Sequence, residues 1–181
     1  SMIKGSERGR LMGALMQKNR RLKAMEESRK LGVSALVNLT EREFLIAGIA
    51  LYWGEGSKKG GRFEFCNSDP LMIVFLIKWL TVCLGVKTED IKCYVQINEI
   101  HSYREEKVRN YWSRISGIPL SRFNKTSFKK VKNLKIYENF EEHYGTLTVR
   151  LLKPTKMFYR IIGLIEGLSE AGRGLVSRDV S

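Results

Sequence analysis

Hydrophobic positions recur along this chain with two different periods, and these predict where helices and strands lie. Spacings of three and four residues, typical of helices, occur in residues 40–54, 70–85, 102–117 and 156–168. Alternation at every second residue, typical of half-buried strands, occurs in residues 61–66, 91–98 and 145–151. This order predicts an α+β fold, with an antiparallel curved sheet that helices cover on one face.

Each predicted strand has one apolar face and one polar face. The apolar positions are Phe63, Phe65, Cys93, Val95, Ile97, Leu147, Val149 and Leu151. The polar positions are mostly cationic, amide or hydroxyl side chains, which suit contacts with phosphates and base edges. The candidates for DNA binding on this face are Arg62, Gln96, Asn98, Thr148 and Arg150.

The composition favours an anionic partner inside a reducing compartment. In 181 residues, 32 Lys and Arg stand against 19 Asp and Glu, for a net charge of +13. Such an excess indicates nucleic acid first and an anionic membrane surface second, and no small-molecule substrate is expected. Three cysteines without paired spacing are typical of a cytoplasmic protein, and the presence of only two histidines argues against a zinc finger. The apolar runs are too short to span a membrane.

Two flanking segments differ from the central region at 39–170. Residues 1–38 form a basic, weakly amphipathic helical segment, with Leu11, Leu15, Leu22 and Met25 on one face. This segment is either a solvated linker helix or an arm that lies along phosphates. Residues 171–181 are expected to be a flexible tail, with fraying from Ser169.

A strongly basic stretch, residues 121–135, contains no acidic residue. Phe123 and Phe128 fall on opposite parities, so we predict a strand broken by a bulge or turn. Its further candidates for DNA binding are Arg122, Lys125, Lys130 and Lys132.

Two capping boxes mark predicted helix starts. Thr40 with Glu43 opens the first helix after the basic segment, and Ser102 with Glu105 opens a later one. In that later helix Val108, Tyr111, Trp112 and Ile115 recur at helical spacing, and we assign them to the core rather than to a base-stacking surface.

The helix after Thr40 has small residues on a face that also includes Leu51, and it ends at one carboxylate between two glycines. Its small residues are Ala47, Gly48, Ala50 and Gly54. A glycine in a helix costs about 1 kcal/mol relative to alanine, so we predict that another helix packs closely there. Gly54-Glu55-Gly56 comes next, either as a simple helix end with an exposed carboxylate or as a functional site.

The segment "LIAGIALYWGEGS" resembles the motif of the LAGLIDADG homing endonucleases, and "RFEFCNSDPLMIVFLIKWL" resembles the strand, turn and helix that often come after that motif in the family. The similarity is greatest to microbial LAGLIDADG-like proteins with an "LYWGEGSK" signature, in which a helix-turn-helix segment often comes first. Trp53 and Glu55 depart from the family's commonest residues at these positions, both Asp. The layout extends from Thr40 to about Leu168.

The resemblance implies a homodimeric endonuclease that cleaves double-stranded DNA. The small-residue helix would be the dimer seam, and two Glu55 carboxylates would share Mg²⁺ or Mn²⁺ with help from Gly54. Lys58 and Lys59 would contact the DNA. Lys129 would act as a basic group near the scissile phosphate, with Lys125, Lys130 and Lys153 as the alternatives. Two other functions stay open, a non-catalytic DNA-binding regulator on the same fold and an RNA-splicing cofactor.

Overall fold

The computed structural model describes residues 2–130 and 140–176. The chain divides after Thr40 into two compact units. The first consists mainly of a single helix, α1 (Met2–Ser34). Leu11, Leu15, Leu22 and Met25 are 48–64% exposed, so the predicted apolar face buries nothing within this unit.

The second unit contains a four-stranded sheet. Its strands are β1 (Glu64–Asn67), β2 (Ile91–Asn98), β3 (Ser127–Lys129) and β4 (Thr146–Leu151). Their order across the sheet is β1-β4-β2-β3. β4 is antiparallel to β1 and β2, whereas β3 is parallel to β2. The prediction of a purely antiparallel sheet is therefore wrong, because a helical crossover after β2 returns the chain in the same direction.

Four helices cover the apolar face of this sheet. They are α2 (Glu41–Glu55), α3 (Pro70–Lys78, continued by a π-helical turn at Trp79–Cys83), α4 (Glu105–Ser116) and α5 (Thr155–Val176). Short 3-10 turns lie at Thr88–Asp90, Glu99–Arg104, Leu120–Arg122 and Phe140–Glu142. Within the described residues no helix is long and apolar enough to cross a membrane.

The predicted core of the sheet is confirmed. Phe63, Phe65 and the inward residues of β2 and β4 are all buried. Burial alternates strictly along β2 and β4, because neighbouring side chains of a strand point to opposite faces. Trp79 and Trp112, both fully buried, fill the space between the helices and the sheet.

Two helix boundaries differ from the sequence expectations. The capping box at Ser102 does not start α4, since a 3-10 turn includes Ser102 and Arg104 precedes the helix without a side-chain cap. α5 continues to Val176, so fraying from Ser169 is also wrong, and the proposed tail is helical as far as that residue. The helix of α3 begins as predicted, with Asp69 Oδ1 accepting from Leu71 N at 2.8 Å and Pro70 in the first turn.

Candidate nucleic-acid interface

The polar face of the sheet is open, and its side chains form rows across the strands. One row is Glu64, Arg150 and Lys92, and the next is Cys66, Thr148 and Tyr94. Further along lie Thr146, Gln96 and Ser127, and then Asn98 and Lys129. The strand pairing therefore brings Gln96, Thr148 and Arg150 to one surface, as their sequence parity predicted.

Arg150 is the most constrained side chain on this surface. Its Nε donates to Glu64 Oε2, and its guanidinium lies 4.5 Å from the centroid of the Tyr94 ring. The hydrogen bond to Glu64 raises the pKa of Arg150 above its already high value. Glu64 is the only acidic residue in the four described strands, so apart from the Glu64–Arg150 pair the strand residues on this face are neutral or basic.

The remaining candidate DNA contacts occupy three different settings. Arg62 is exposed in the turn before β1, and Asn98 already accepts a hydrogen bond from Ile100 N at 3.2 Å. Lys130 lies 3.9 Å from Glu99, and both side chains are exposed. Lys125 and Lys129 are exposed and Arg122 is half-buried, whereas Lys132 lies outside the described residues.

The chain that leaves α2 is held tightly against β1. Gly56 N donates to Tyr52 O at 2.8 Å, and Ser57 N donates to Glu64 O at 2.9 Å. Gly56 also forms an antiparallel bridge with Phe65, which places this segment beside the outer edge of β1. A Cβ on Gly56 would lie 2.4 Å from the Tyr52 ring, so a larger residue does not fit there.

Tyr52 secures the same segment from inside the core. It is fully buried, stacks on Phe63 at 4.7 Å and donates its hydroxyl to Ser57 O at 2.7 Å. Burial raises the pKa of Tyr52 to about 12, so the phenol stays protonated as a donor. The glycine after Glu55 thus has a structural explanation within the chain.

Glu55 itself is the last residue of α2 and is exposed. Lys58 Nζ donates to Trp53 O at 2.8 Å, so it satisfies one of the last carbonyls of α2. Its positive charge also interacts favourably with the negative, C-terminal end of the helix dipole. Lys59 is exposed in the following turn. One carboxylate and two lysines therefore lie within five residues at the edge of the sheet.

The two glycines of α2 that were assigned to the dimer seam have different roles. A Cβ on Gly48 would lie 2.1 Å from the Trp79 ring, whose Nε1 donates to Leu45 O at 3.1 Å. Gly48 is buried against its own chain, so its assignment to the seam is corrected. A Cβ on Gly54 would meet nothing within 4 Å.

Ala47, Ala50 and Gly54 share the exposed face of α2. Ile46 and Trp53, on the same side, are 38% and 45% exposed. Beside them an open groove of about 330 Å³ runs between α2 and α3. The groove is lined by Ala47, Leu51, Asp69, Leu71, Met72 and Phe75. This face is apolar, and its small residues allow another backbone to approach closely.

Glu55 and Lys129 do not meet within one chain. Glu55 lies beside β1, whereas Lys129 is on β3 at the opposite edge of the sheet. Strands are spaced by about 4.8 Å, which separates the two positions by roughly 15–20 Å. Within one chain these two candidate catalytic residues are therefore not adjacent, and their shared role stays a prediction for the dimer.

The described part of one chain does not by itself assemble a cluster of metal-ligating side chains. No group of three or more His, Cys, Asp or Glu residues comes together in residues 2–130 and 140–176. Exposed Glu55 and the carbonyl of Gly54 are hard oxygen donors of the kind that Mg²⁺ prefers, but they are too few alone. These donors fit a divalent cation only where a second chain adds its own.

A buried arginine that the sequence did not reveal organises the loop before β4. Arg104 is 5% exposed, and its Nη1 and Nη2 donate to the carbonyls of Glu141 and His143. Tyr103 donates to the Glu141 carboxylate and thereby lowers the pKa of Glu141. Nothing local in the sequence indicates these contacts, since they join residues 37–39 positions apart.

Comparisons of the chain with protein-family models, with curated proteins and with solved structures found no match. The resemblance to the LAGLIDADG family thus depends on the residues of this chain alone. The function has to be argued from the open sheet face and the end of α2.

Proposed function

We propose that this protein binds double-stranded DNA through the open face of its sheet. The observation that carries the proposal is the Glu64–Arg150–Tyr94 arrangement, a fixed guanidinium on a surface with amide and hydroxyl neighbours. Arginine is the commonest reader of guanine in the major groove, and amides suit adenine. The net charge of +13 supplies the attraction to phosphates.

We further propose that the protein acts as a homodimer through α2, as the LAGLIDADG resemblance implies. Gly54 lowers helix stability, and no contact of the described chain explains it. Ala47 and Ala50 extend the same exposed small-residue face. A twofold pairing of this face would bring two copies of Glu55 towards one axis.

In that dimer we propose a metal-dependent endonuclease of homing type. The paired Glu55 carboxylates and Gly54 carbonyls would hold Mg²⁺ or Mn²⁺. Such an ion supplies a Lewis acid and an activated water for phosphodiester hydrolysis. The chain's own part is to place Glu55 at the β1 edge, which the Gly56–Phe65 bridge and the Tyr52 hydrogen bond fix.

A non-catalytic DNA-binding regulator is the second candidate. Two observations favour it, namely the single carboxylate that each chain contributes and the distance between Glu55 and Lys129. Neither observation argues against DNA binding by the sheet face, because the position of Arg150 and its neighbours does not involve Glu55.

A randomised duplex library, incubated with Mg²⁺ or with EDTA, separates the two candidates. The wild type is compared with Glu55→Gln, and Glu106→Gln, an exposed glutamate of α4, is the matched control. The endonuclease predicts metal-dependent cuts at a shared sequence that only Glu55→Gln abolishes, with DNA affinity retained. Sequence-selective binding by all three proteins without any cut would establish the regulator instead.

A further inference from the structure

A second cationic surface lies on the exposed side of α4, away from the open sheet face. It is a groove of about 390 Å³ lined by Lys107, Asn110, Tyr111, Arg114 and Tyr144. Four of these residues share one helix face, since they are three or four positions apart. The opposite side of α4 buries Val108 and Trp112 in the core, so the groove belongs to the helix layer.

Two tyrosines make the floor of this groove flat and rigid. The rings of Tyr111 and Tyr144 stack at 3.8 Å with 13° between their planes. The Arg104 guanidinium lies over Tyr144 at 5.4 Å, and the Tyr144 carbonyl accepts from Trp112 Nε1 at 2.7 Å. Buried Arg104, Tyr144 and Tyr111 thus form a stack, and Tyr111 is its half-exposed end.

The lining of the groove is cationic. Lys107 and Arg114 are exposed, and neither forms an ion pair within the part of the chain that the structure describes. Two carboxylates act on the groove residues: Asp69, whose charge reaches Tyr111 and whose Oδ1 accepts from Leu71 N, and Glu141, which is already bound by Tyr103 and Arg104. Asn110, between the two cations in sequence, adds an amide that can both donate and accept.

We propose that this groove binds a nucleotide unit, with an unpaired base stacked on Tyr111 and its phosphate held by Lys107 and Arg114. The flat ring suits a base, the two cations suit its phosphate, and the amide of Asn110 suits the polar edge of the base. Aromatic platforms beside cations bind single-stranded nucleic acid in this way, and one stacked base contributes roughly 5- to 150-fold in affinity. The site does not depend on the sheet face, so it stands whether or not the duplex proposal does.

The shared chemistry is that of a free nucleotide or of a single-stranded segment, and the experiment distinguishes them. A single-stranded oligothymidylate carrying 5-iodouridine is crosslinked by light, and the modified peptide is mapped. Unlabelled UMP, unlabelled oligothymidylate and inorganic phosphate serve as competitors. We expect the crosslink at Tyr111, with competition by UMP if one nucleotide suffices and by the oligonucleotide alone if a strand is needed.

Variants then test the two halves of the site. Lys107→Gln with Arg114→Gln should weaken oligothymidylate binding by about 10-fold or more, within the range for charge-dependent single-strand binding. The control pair Lys78→Gln with Lys156→Gln removes two exposed cations elsewhere and should have little effect. Tyr111→Leu should remove the crosslink and weaken binding while the protein stays folded by circular dichroism.

Three results would overturn the proposal. The crosslink could map to β1, β2 or β4, the groove variants could bind as the control pair does, or inorganic phosphate alone could abolish the crosslink. Arg150→Gln, measured in parallel on duplex DNA, reports on the sheet face alone. If Arg150→Gln binds duplex DNA as the wild type does, the proposal for the groove still stands. If the groove variants bind oligothymidylate normally, the proposal for duplex DNA still stands.

Discussion

Substitutions at two glycines of α2 test whether its exposed face is an interface. Gly54 has open space around it, so Gly54→Ala adds helix propensity without a clash within the chain. In an isolated chain that change should stabilise the fold by about 0.5–1 kcal/mol. Gly54→Leu should stabilise an isolated chain similarly, because the helix propensity of leucine is close to that of alanine.

In a dimer that pairs through this face, Gly54→Leu acts in the opposite direction. The leucine would force the two backbones apart, and the contacts of Ala47 and Ala50 with the partner would be lost. The variant should therefore be a folded monomer, whereas the wild type is a dimer. Sedimentation equilibrium gives the mass, and urea unfolding at several protein concentrations gives the stability, which depends on concentration only for a dimer.

Gly48→Ala is the matched control on the buried side of the same helix. Its Cβ would lie 2.1 Å from the Trp79 ring, which also donates a hydrogen bond to Leu45 O. Overpacking of this kind typically destabilises by about 1–3 kcal/mol, whatever the oligomeric state. A Gly54→Leu protein that stays dimeric, or a wild type that is monomeric with Gly54→Leu more stable, would refute the proposed seam.

Three further predictions concern the sheet and the core. Glu64→Gln should raise duplex affinity at low salt and reduce discrimination between sites by about 5-fold or more, because Arg150 loses its anchor; competition binding with selected and scrambled duplexes measures both. Its effect on stability should be only about 0.5–1 kcal/mol, since the side chains of Arg150 and Glu64 are 42% and 35% exposed. Burial, with Arg104 and His143 nearby, lowers the pKa of His101, so the unfolded chain binds more protons below its pKa of about 6.5. Stability should therefore fall as the pH drops through that value, and urea unfolding of wild type and His101→Asn should show a flatter profile for the variant. Burial raises the pKa of Cys93 to about 12, so native protein should not be alkylated there until it unfolds, as peptide mapping would show.

The faces of the strands could be predicted from the sequence because they depend on local parity. Phe65, Val95 and Val149 are buried where alternation placed them, and Thr148 and Arg150 point the other way. The parallel β3 could not be predicted, since its direction depends on how the chain crosses after β2. Likewise the 3-10 turn at Glu99–Arg104 displaced the expected helix start, because Arg104 is drawn towards carbonyls of a distant loop.

The roles of individual site residues were harder to predict than the faces. Gly48 and Gly54 look alike in sequence, and only Trp79, far along the chain, occupies the space beside one of them. Lys129 could not be located relative to Glu55, because the sequence does not show where the basic stretch lies in the sheet. Tyr111 packs against the core as predicted, but helical spacing does not show that it is only half-buried and stacks with Tyr144 in the floor of a groove.

The most direct test of the DNA-binding face uses a thiol that the chain already has there. Cys66 is exposed on the open side of β1, in the row with Thr148 and Tyr94. Cys83, half-buried in the turn after α3, is the internal control in the helix layer. The rate of maleimide labelling at each cysteine is measured by peptide mapping, with and without saturating duplex DNA. Duplex bound to the sheet predicts slower labelling of Cys66 with Cys83 unchanged, whereas unchanged labelling of Cys66 in a saturated complex would contradict the proposed interface.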